Sequence, residues 1–390
     1  MNSPKPTPAP RAKRSVRARA RRRPSRSGWL WFGALLGAGG ALVSAFVGWA
    51  LASGPGTGKR VILEIPENPS STQVAQLFAE RQLITSPWLF SFYLDIVRRG
   101  VPIQPGSHIF NDALSPRDLT RRLGRLKQRG SRKVTIVEGF DSWQVAERLE
   151  ANDVCSAEAF VKVAFDPEAL KEVRLEKSAE GFLFPATYDF REDSDPRLVL
   201  YQLVKEARRR LIEVLKSEPD GLNRLKNDFG MGVSEILTLA SIVEKEAARA
   251  DERALIAGVF LNRLSDPNFQ PRQALQSDPT AAYGCRLLGA TIPSCVGFGG
   301  KITPAMLRDS LNPYNTYAHP GLPPGPICNP GLGAVRAVLS PAETDYLYFV
   351  AVGGGKHAFS RTYAEHQRVY APKPGAAPVP VATTPQPPGN

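Results

Sequence analysis

Histidine and cysteine are scarce in this chain, with four of each among 390 residues. The histidines lack the spacing of metal ligands, which argues against a zinc hydrolase, and no metal or cofactor is expected. Cys155, Cys285, Cys295 and Cys328 form no C-x-x-C pair. An even number permits disulfides where the compartment is oxidising. Acidic residues are absent from residues 1–28, which hold ten Lys and Arg. The net charge of +13 is concentrated there, and only about +3 remains downstream. A basic tail can neutralise phosphates, but this one has no interleaved aromatics and abuts an apolar segment. It reads as the flank of a membrane anchor, and no nucleic-acid partner is expected.

Charge of either sign is missing from WLWFGALLGAGGALVSAFVGWAL, residues 29–51. At about 1.5 Å per helical residue this segment reaches across a hydrocarbon core of about 30 Å, so one transmembrane helix is predicted. A buried core helix of this length would carry a polar face. A cleaved signal peptide is the rival: Ala50-Leu51-Ala52 resembles a cleavage site, but the stretch exceeds the usual apolar region of about 7 to 15 residues. Arginines precede the segment, and Trp29, Trp31 and Trp49 lie near its ends. These features place the N-terminus in the cytoplasm and everything after Ser53 outside the cytoplasmic membrane. Residues 1–28 then form a basic disordered tail, and residues 371–390, rich in Pro and Ala, a second one.

Between them, a chain that is 42% hydrophobic has the apolar content for globular cores. The segments EIPENPSSTQVAQLF and TIVEGFDSWQVAERL match at an offset of 71: Ile65 with Ile136, Glu67 with Glu138, Ser71 with Ser142, and Gln73-Val74-Ala75 with Gln144-Val145-Ala146. Each reads as a strand, a loop and a helix opened by Ser or Thr, the mark of small α+β units. Between the copies SPRDLTRRLGRL predicts an amphipathic helix, with Leu119, Leu123 and Leu126 on one face and a solvated arginine face opposite.

From about residue 180 the motifs become dense, with Gly, Pro and Asn-rich turns between apolar segments, a composition suited to loops around a cleft. Among them LTLASIVEKEAARA, residues 237–250, predicts a helix that packs Ile236, Leu239, Ala240, Val243 and Ala247 inward. Glu244 stands beside that face. Its neighbours three and four residues away are Ala240, Ser241, Ala247 and Ala248, all small, so its own helix supplies no cation and leaves room for a ligand. Partial burial of that kind raises a carboxyl pKa, as a general acid requires. A paired structural carboxylate fits the residues equally well. Glu246, followed by Arg249, reads as a solvated residue in a surface ion pair.

The series LASIVEKE, FLNRL, LQSDPT, PYNTY, GLPPGPI, NPG and YLYFVA resembles the MltG/YceG-like family of endolytic murein transglycosylases, over roughly residues 60 to 370. The resemblance implies an α+β fold with a single N-terminal transmembrane helix (29–51), a small LysM-like subdomain (60–130) and a larger catalytic domain (131–370). It implies cleavage of the bond between N-acetylmuramic acid and N-acetylglucosamine in nascent peptidoglycan strands, giving 1,6-anhydromuramyl ends and ending strand growth, outside the membrane and beside peptidoglycan synthases. The family's catalytic glutamate falls on Glu244. Ordinary glycosidases need two carboxylates; here one protonates the leaving oxygen and then accepts the proton of the muramyl C6 hydroxyl as it attacks C1.

Gln276, Asp278, Tyr314, Asn315 and Tyr317 match family motifs as substrate-binding residues, or else hold turns, as Asp-Pro and Asn-Pro steps do. Glu180 in EGFLFPATY is either a second carboxylate near the cleft or a buried, paired structural acid. His357 is polar lining or a turn residue. Cys285 and Cys295 flank CRLLGATIPSC, where the family often has a simpler turn, and one disulfide is expected there; Cys328 has no evident partner. The alternative to an enzyme is a non-catalytic, LysM-like peptidoglycan-binding scaffold in which Glu244 is structural.

Overall fold

A computed structural model describes residues 26–97, 103, 105–123 and 131–370. Leu126, the basic tail up to residue 25 and the Pro-rich tail fall outside the described residues. Contacts divide the chain into two compact units, one of residues 1–60, 69–103 and 110–124, the other of residues 61–68, 104–109 and 125–390.

Helix α1 (Arg26–Leu51) is long and apolar enough over Ala34–Leu51 to cross a membrane. Its large side chains face outward, among them Trp31, Leu35, Leu42 and Val43. This is compatible with a single-pass anchor. Strand β1 (Arg60–Ile65), α2 (Ser71–Glu80), α3 (Pro87–Val97) and β2 (Gly106–Asn111) follow, with β1 paired to β2. Phe78 of α2 stacks on Phe90 of α3 at 5.3 Å. In α4 (Pro116–Leu123), Leu119 and Leu123 are buried while Arg121 and Arg122 are exposed, as the amphipathic spacing predicts.

From residue 131 on, the second unit contains β3 (Ser131–Thr135), α5 (Ser142–Glu150), α6 (Ala157–Ala164), α7 (Pro167–Glu172), β4 (Thr187–Arg191) and α8 (Pro196–Ser217). Strands β3 and β4 pair antiparallel, Val134 opposite Tyr188. Val145, Leu149, Phe160, Leu170, Phe190 and Leu203 build a shared core beneath them. The repeat is visible here. Ser71 and Ser142 both open helices, and Gln73 and Gln144 both complete capping boxes. The caps themselves are the residues just before, Ser70 and Asp141.

A second core joins α9 (Pro219–Phe229), α10 (Val233–Glu246), α11 (Arg253–Ser265), α12 (Asp278–Leu288) and, after the separate α13 (Pro304–Arg308), α14 (Leu332–Leu339). Its centre is the inward face of α10, Ile236, Leu239, Ala240 and Val243, against Ile256 and Phe260 of α11 and Val335 and Val338 of α14. Strands β5 (Tyr348–Gly353) and β6 (Lys356–Ser360) pair antiparallel before α15 (Tyr363–Tyr370). Cys285 and Cys295 form a disulfide with Cα atoms 5.0 Å apart, packed with Ile292 and Met306. Cys328 is free and buried.

Candidate functional site

The last turn of α10 presents two carboxylates. Glu244 and Glu246 are two residues apart, and at about 100° per residue their side chains leave the helix on nearly opposite sides. Each therefore has surroundings of its own.

Glu244 is enclosed, with 7% of its side chain exposed. Its Oε1 accepts from Arg253 Nη2 at 2.8 Å, and its Oε2 accepts from the Gly331 N–H at 3.1 Å. The same guanidinium lies 3.4 Å from Glu138 Oε2. A Cβ at Gly331 would run into the Glu138 carboxylate, which would have to move aside to admit one. Burial raises the Glu244 pKa most strongly and Glu138 adds to it, against the lowering by Arg253 and the Gly331 N–H; the net direction is upward. Its own helix supplies no cation, but another element does, and the room expected beside Glu244 is partly taken. Arg253 arrives from α11, beyond the break in the helix, where helical spacing no longer applies. Part of the room is filled by the protein: Ser241 Oγ accepts from the Ile327 N–H at 3.0 Å, seating the loop that leads to Gly331.

Glu246 is also misread in the sequence. Arg249 pairs with Asp251, at 3.0 and 2.8 Å, and Glu246 Oε1 instead accepts from Ser277 Oγ at 2.6 Å. No ion pair reaches it among the described residues. Burial pushes its pKa up and Asp278 adds to this, opposed by the Ser277 hydroxyl and by the longer-range fields of His357 and Arg263. A desolvated carboxyl without a cation in contact is the state that favours the protonated acid.

Three of the sequence-predicted cleft residues, Gln276, Asp278 and Tyr317, gather on this second side. Tyr317 Oη donates to Asp278 Oδ1 at 2.7 Å. The Gln276 N–H donates to the Thr316 carbonyl at 3.2 Å, and the Ser277 N–H to Thr316 Oγ1 at 3.1 Å. Segments LQSDPT and PYNTY are thereby bound together beside Glu246. Gln276 has a φ of +53°, an uncommon conformation for a non-glycine residue that recurs at sites under constraint. A cavity of about 550 Å³ lined by Pro304, Leu307, Arg308, Tyr317 and Ala318 opens next to them. Tyr314 is buried, its ring 5.0 Å from that of Tyr283. Asn315 is buried too, its amide group directed at the carbonyls of Met306, Leu307 and Asp309. These two occupy fold-holding positions. His357 is tied to Glu252, Nδ1 at 2.7 Å from Oε2.

Glu180 lies fully buried, apart from both. It accepts from the Ser142 N–H at 3.0 Å, from Tyr283 Oη at 3.1 Å and from Asn329 Nδ2 at 2.9 Å. Burial foremost, with Asp141 adding, pushes its pKa up to about 7. Of the two readings of Glu180, the buried and partnered acid is the one the geometry fits. Asn329 also donates to the Phe140 carbonyl at 2.8 Å and accepts from the Leu183 N–H at 2.8 Å. It ties the repeat's second loop to the loop after Glu180. Sequence reasoning passed over Glu138, Arg253, Ser277 and Asn329 as site residues, although Glu138 stands in the repeat and Asn329 in the NPG motif. Among the described residues no group of three or more His, Cys, Asp or Glu side chains converges as a metal site would.

An α+β protein whose site is a pair of desolvated glutamates on one helix is the class defined by this geometry. The YceG-like family model matches residues 63–371, and the chain belongs to that family. The endolytic murein transglycosylase of Bacillus subtilis strain 168 is 29% identical over 329 residues, covering 79% of this chain and 83% of the relative. That of Streptococcus pneumoniae D39 is 29% identical and covers 87% of this chain, which spans 63% of the pneumococcal protein's length. The solved structure of a yceG-like protein from Listeria monocytogenes superposes with a TM-score of 0.51 at 29% identity, over 80% of this chain and all of that one.

Proposed function

We propose that this chain is an endolytic murein transglycosylase, and that Glu246 is its proton donor. The observation that carries the assignment is the position of Glu246: desolvated, hydrogen-bonded among the described residues only to Ser277, and adjoining the Asp278–Tyr317 pair and Gln276. Glu246 protonates the oxygen between N-acetylmuramic acid and N-acetylglucosamine, and the N-acetylglucosamine leaves with its C4 hydroxyl. The carboxylate then accepts the C6 hydroxyl proton as that oxygen attacks C1, which closes the 1,6-anhydro ring and restores the acid. Gln276, Asp278 and Tyr317 line the sugar site. Glu244 is the second reading for the acid, favoured by its enclosure and its raised pKa.

The chain is anchored in the cytoplasmic membrane through α1, with its N-terminus inside and its catalytic domain, residues 131–370, outside. Residues 60–130, whose described elements run strand, helix, helix, strand, helix, serve as the LysM-like unit that holds glycan. Strands still being polymerised are the substrate, which implies peptidoglycan synthases as neighbours and an end to strand growth as the consequence.

The test is a digest of uncrosslinked glycan strands by the full chain and by folded Glu244→Gln and Glu246→Gln variants, with products read by mass. Anhydromuramyl ends from the parent and from Glu244→Gln, and none from Glu246→Gln, are expected. The reverse pattern assigns the acid to Glu244. Reducing ends mean that a water molecule attacks instead, and binding without any product leaves the scaffold reading.

A further inference from the structure

Helix α3 carries apolar residues on two sides. Phe90, Tyr93 and Leu94 are buried, with Phe90 stacked on Phe78 of α2. Trp88, Phe92 and Ile96, four residues apart and hence in one row, are 72%, 54% and 48% exposed. A row of large apolar side chains left in the open marks an interaction surface. The polar groups of α3 are turned toward α2 instead: Asp95 accepts from Ser71 Oγ at 2.5 Å, and Ser91 Oγ lies 3.3 Å from Thr72 Oγ1.

The row is joined to α1. Phe92 and Tyr93 lie 6.0 and 5.9 Å from the ring of Phe46, and Tyr93 lies 6.0 Å from Trp49. Phe46 is five residues short of the end of α1, about 7.5 Å by helical rise. A helix that lies on a bilayer buries its apolar face about 5–10 Å into the boundary between headgroups and acyl chains. With α1 spanning the membrane, its contacts hold α3 at that depth, and the Trp at the start of the row suits an interface.

We propose that α3 is a second membrane contact, an interfacial helix that inserts Trp88, Phe92 and Ile96 among the outer-leaflet lipids beside α1. This rests on the reading of α1 as the anchor. The test uses the full chain, in a Cys155→Ser background whose residual labelling is subtracted, reconstituted in phosphatidylcholine and phosphatidylglycerol vesicles. Nitroxide labels are placed at Leu42→Cys, Phe92→Cys and Ile96→Cys, and collisions with oxygen and with a water-soluble nickel chelate are compared. All three labels are expected to meet oxygen more than nickel, with 92 and 96 shallower than 42. Nickel access at 92 and 96 with oxygen access at 42 overturns the proposal alone. Poor access of both reagents at 92 and 96 means that protein covers the row, and overturns it as well. Nickel access at 42 removes the anchor, and the proposal falls with it.

Discussion

Arg253 is held between two carboxylates of unequal exposure. Glu138 is open to solvent, while Glu244 is 7% exposed and takes the shorter contact, 2.8 Å. Removing one partner of an enclosed pair leaves a charge without compensation, at about 3 to 5 kcal/mol. Arg253→Met is therefore expected to lose about 3 kcal/mol in urea unfolding, and Arg253→Met/Glu244→Gln to recover much of it. A double variant no more stable than the single one would place the role of Arg253 elsewhere. Glu180 makes a different prediction. Its pKa rises from 4.5 to about 7 on folding. Below the first value it is protonated in both states. Between the two the folded chain holds more protons than the unfolded one, so stability falls as pH rises through that window, by up to about 3 kcal/mol, and the loss persists above it. Glu180→Gln removes that slope from melting temperatures measured across pH, at the cost of an imperfect bond to Asn329. An unchanged slope would assign it to another group.

At the scale of elements, the periodic features were legible. The repeat at offset 71, the inward face of α10 and the leucine face of α4 each follow from spacing along one segment, and spacing is what a sequence displays. The surroundings of α10's two glutamates were not legible. Arg253, Ser277 and Gly331 come from other segments, and the small residues around Glu244 read as an open site although Ser241 seats the protein's own loop. The family resemblance grouped Gln276, Asp278 and Tyr317 as substrate-binding residues, but set them beside Glu244 and not Glu246. The α12 disulfide was expected from the position of the cysteines. Closing a loop of about ten residues contributes roughly 3 kcal/mol by restricting the unfolded chain. Cys285→Ser/Cys295→Ser should melt several degrees lower, and reductant should bring the parent down to the variant while leaving the variant unmoved. Equal melting of both proteins without reductant would contradict this.

At the scale of the whole molecule, charge is distributed by position. Ten basic and no acidic residues precede the apolar helix, and the remainder is near +3. An apolar helix alone inserts in either direction, and lysine and arginine within about 15 to 20 residues of its ends set which. On the proposed reading of α1 as an anchor, the holding force comes from its apolar surface and not from the basic run. These two roles separate experimentally. Replacing the ten basic residues with glutamine is expected to leave the chain in the membrane pellet after alkaline carbonate washing, because the apolar stretch of residues 29–51 is unchanged. It is also expected to mix the orientations. Protease added outside intact spheroplasts should digest the C-terminal region of the parent completely and leave a protected fraction of the variant. A variant that washes out would make the basic run the anchor, and one digested as completely as the parent would move the orientation signal to the residues after Leu51.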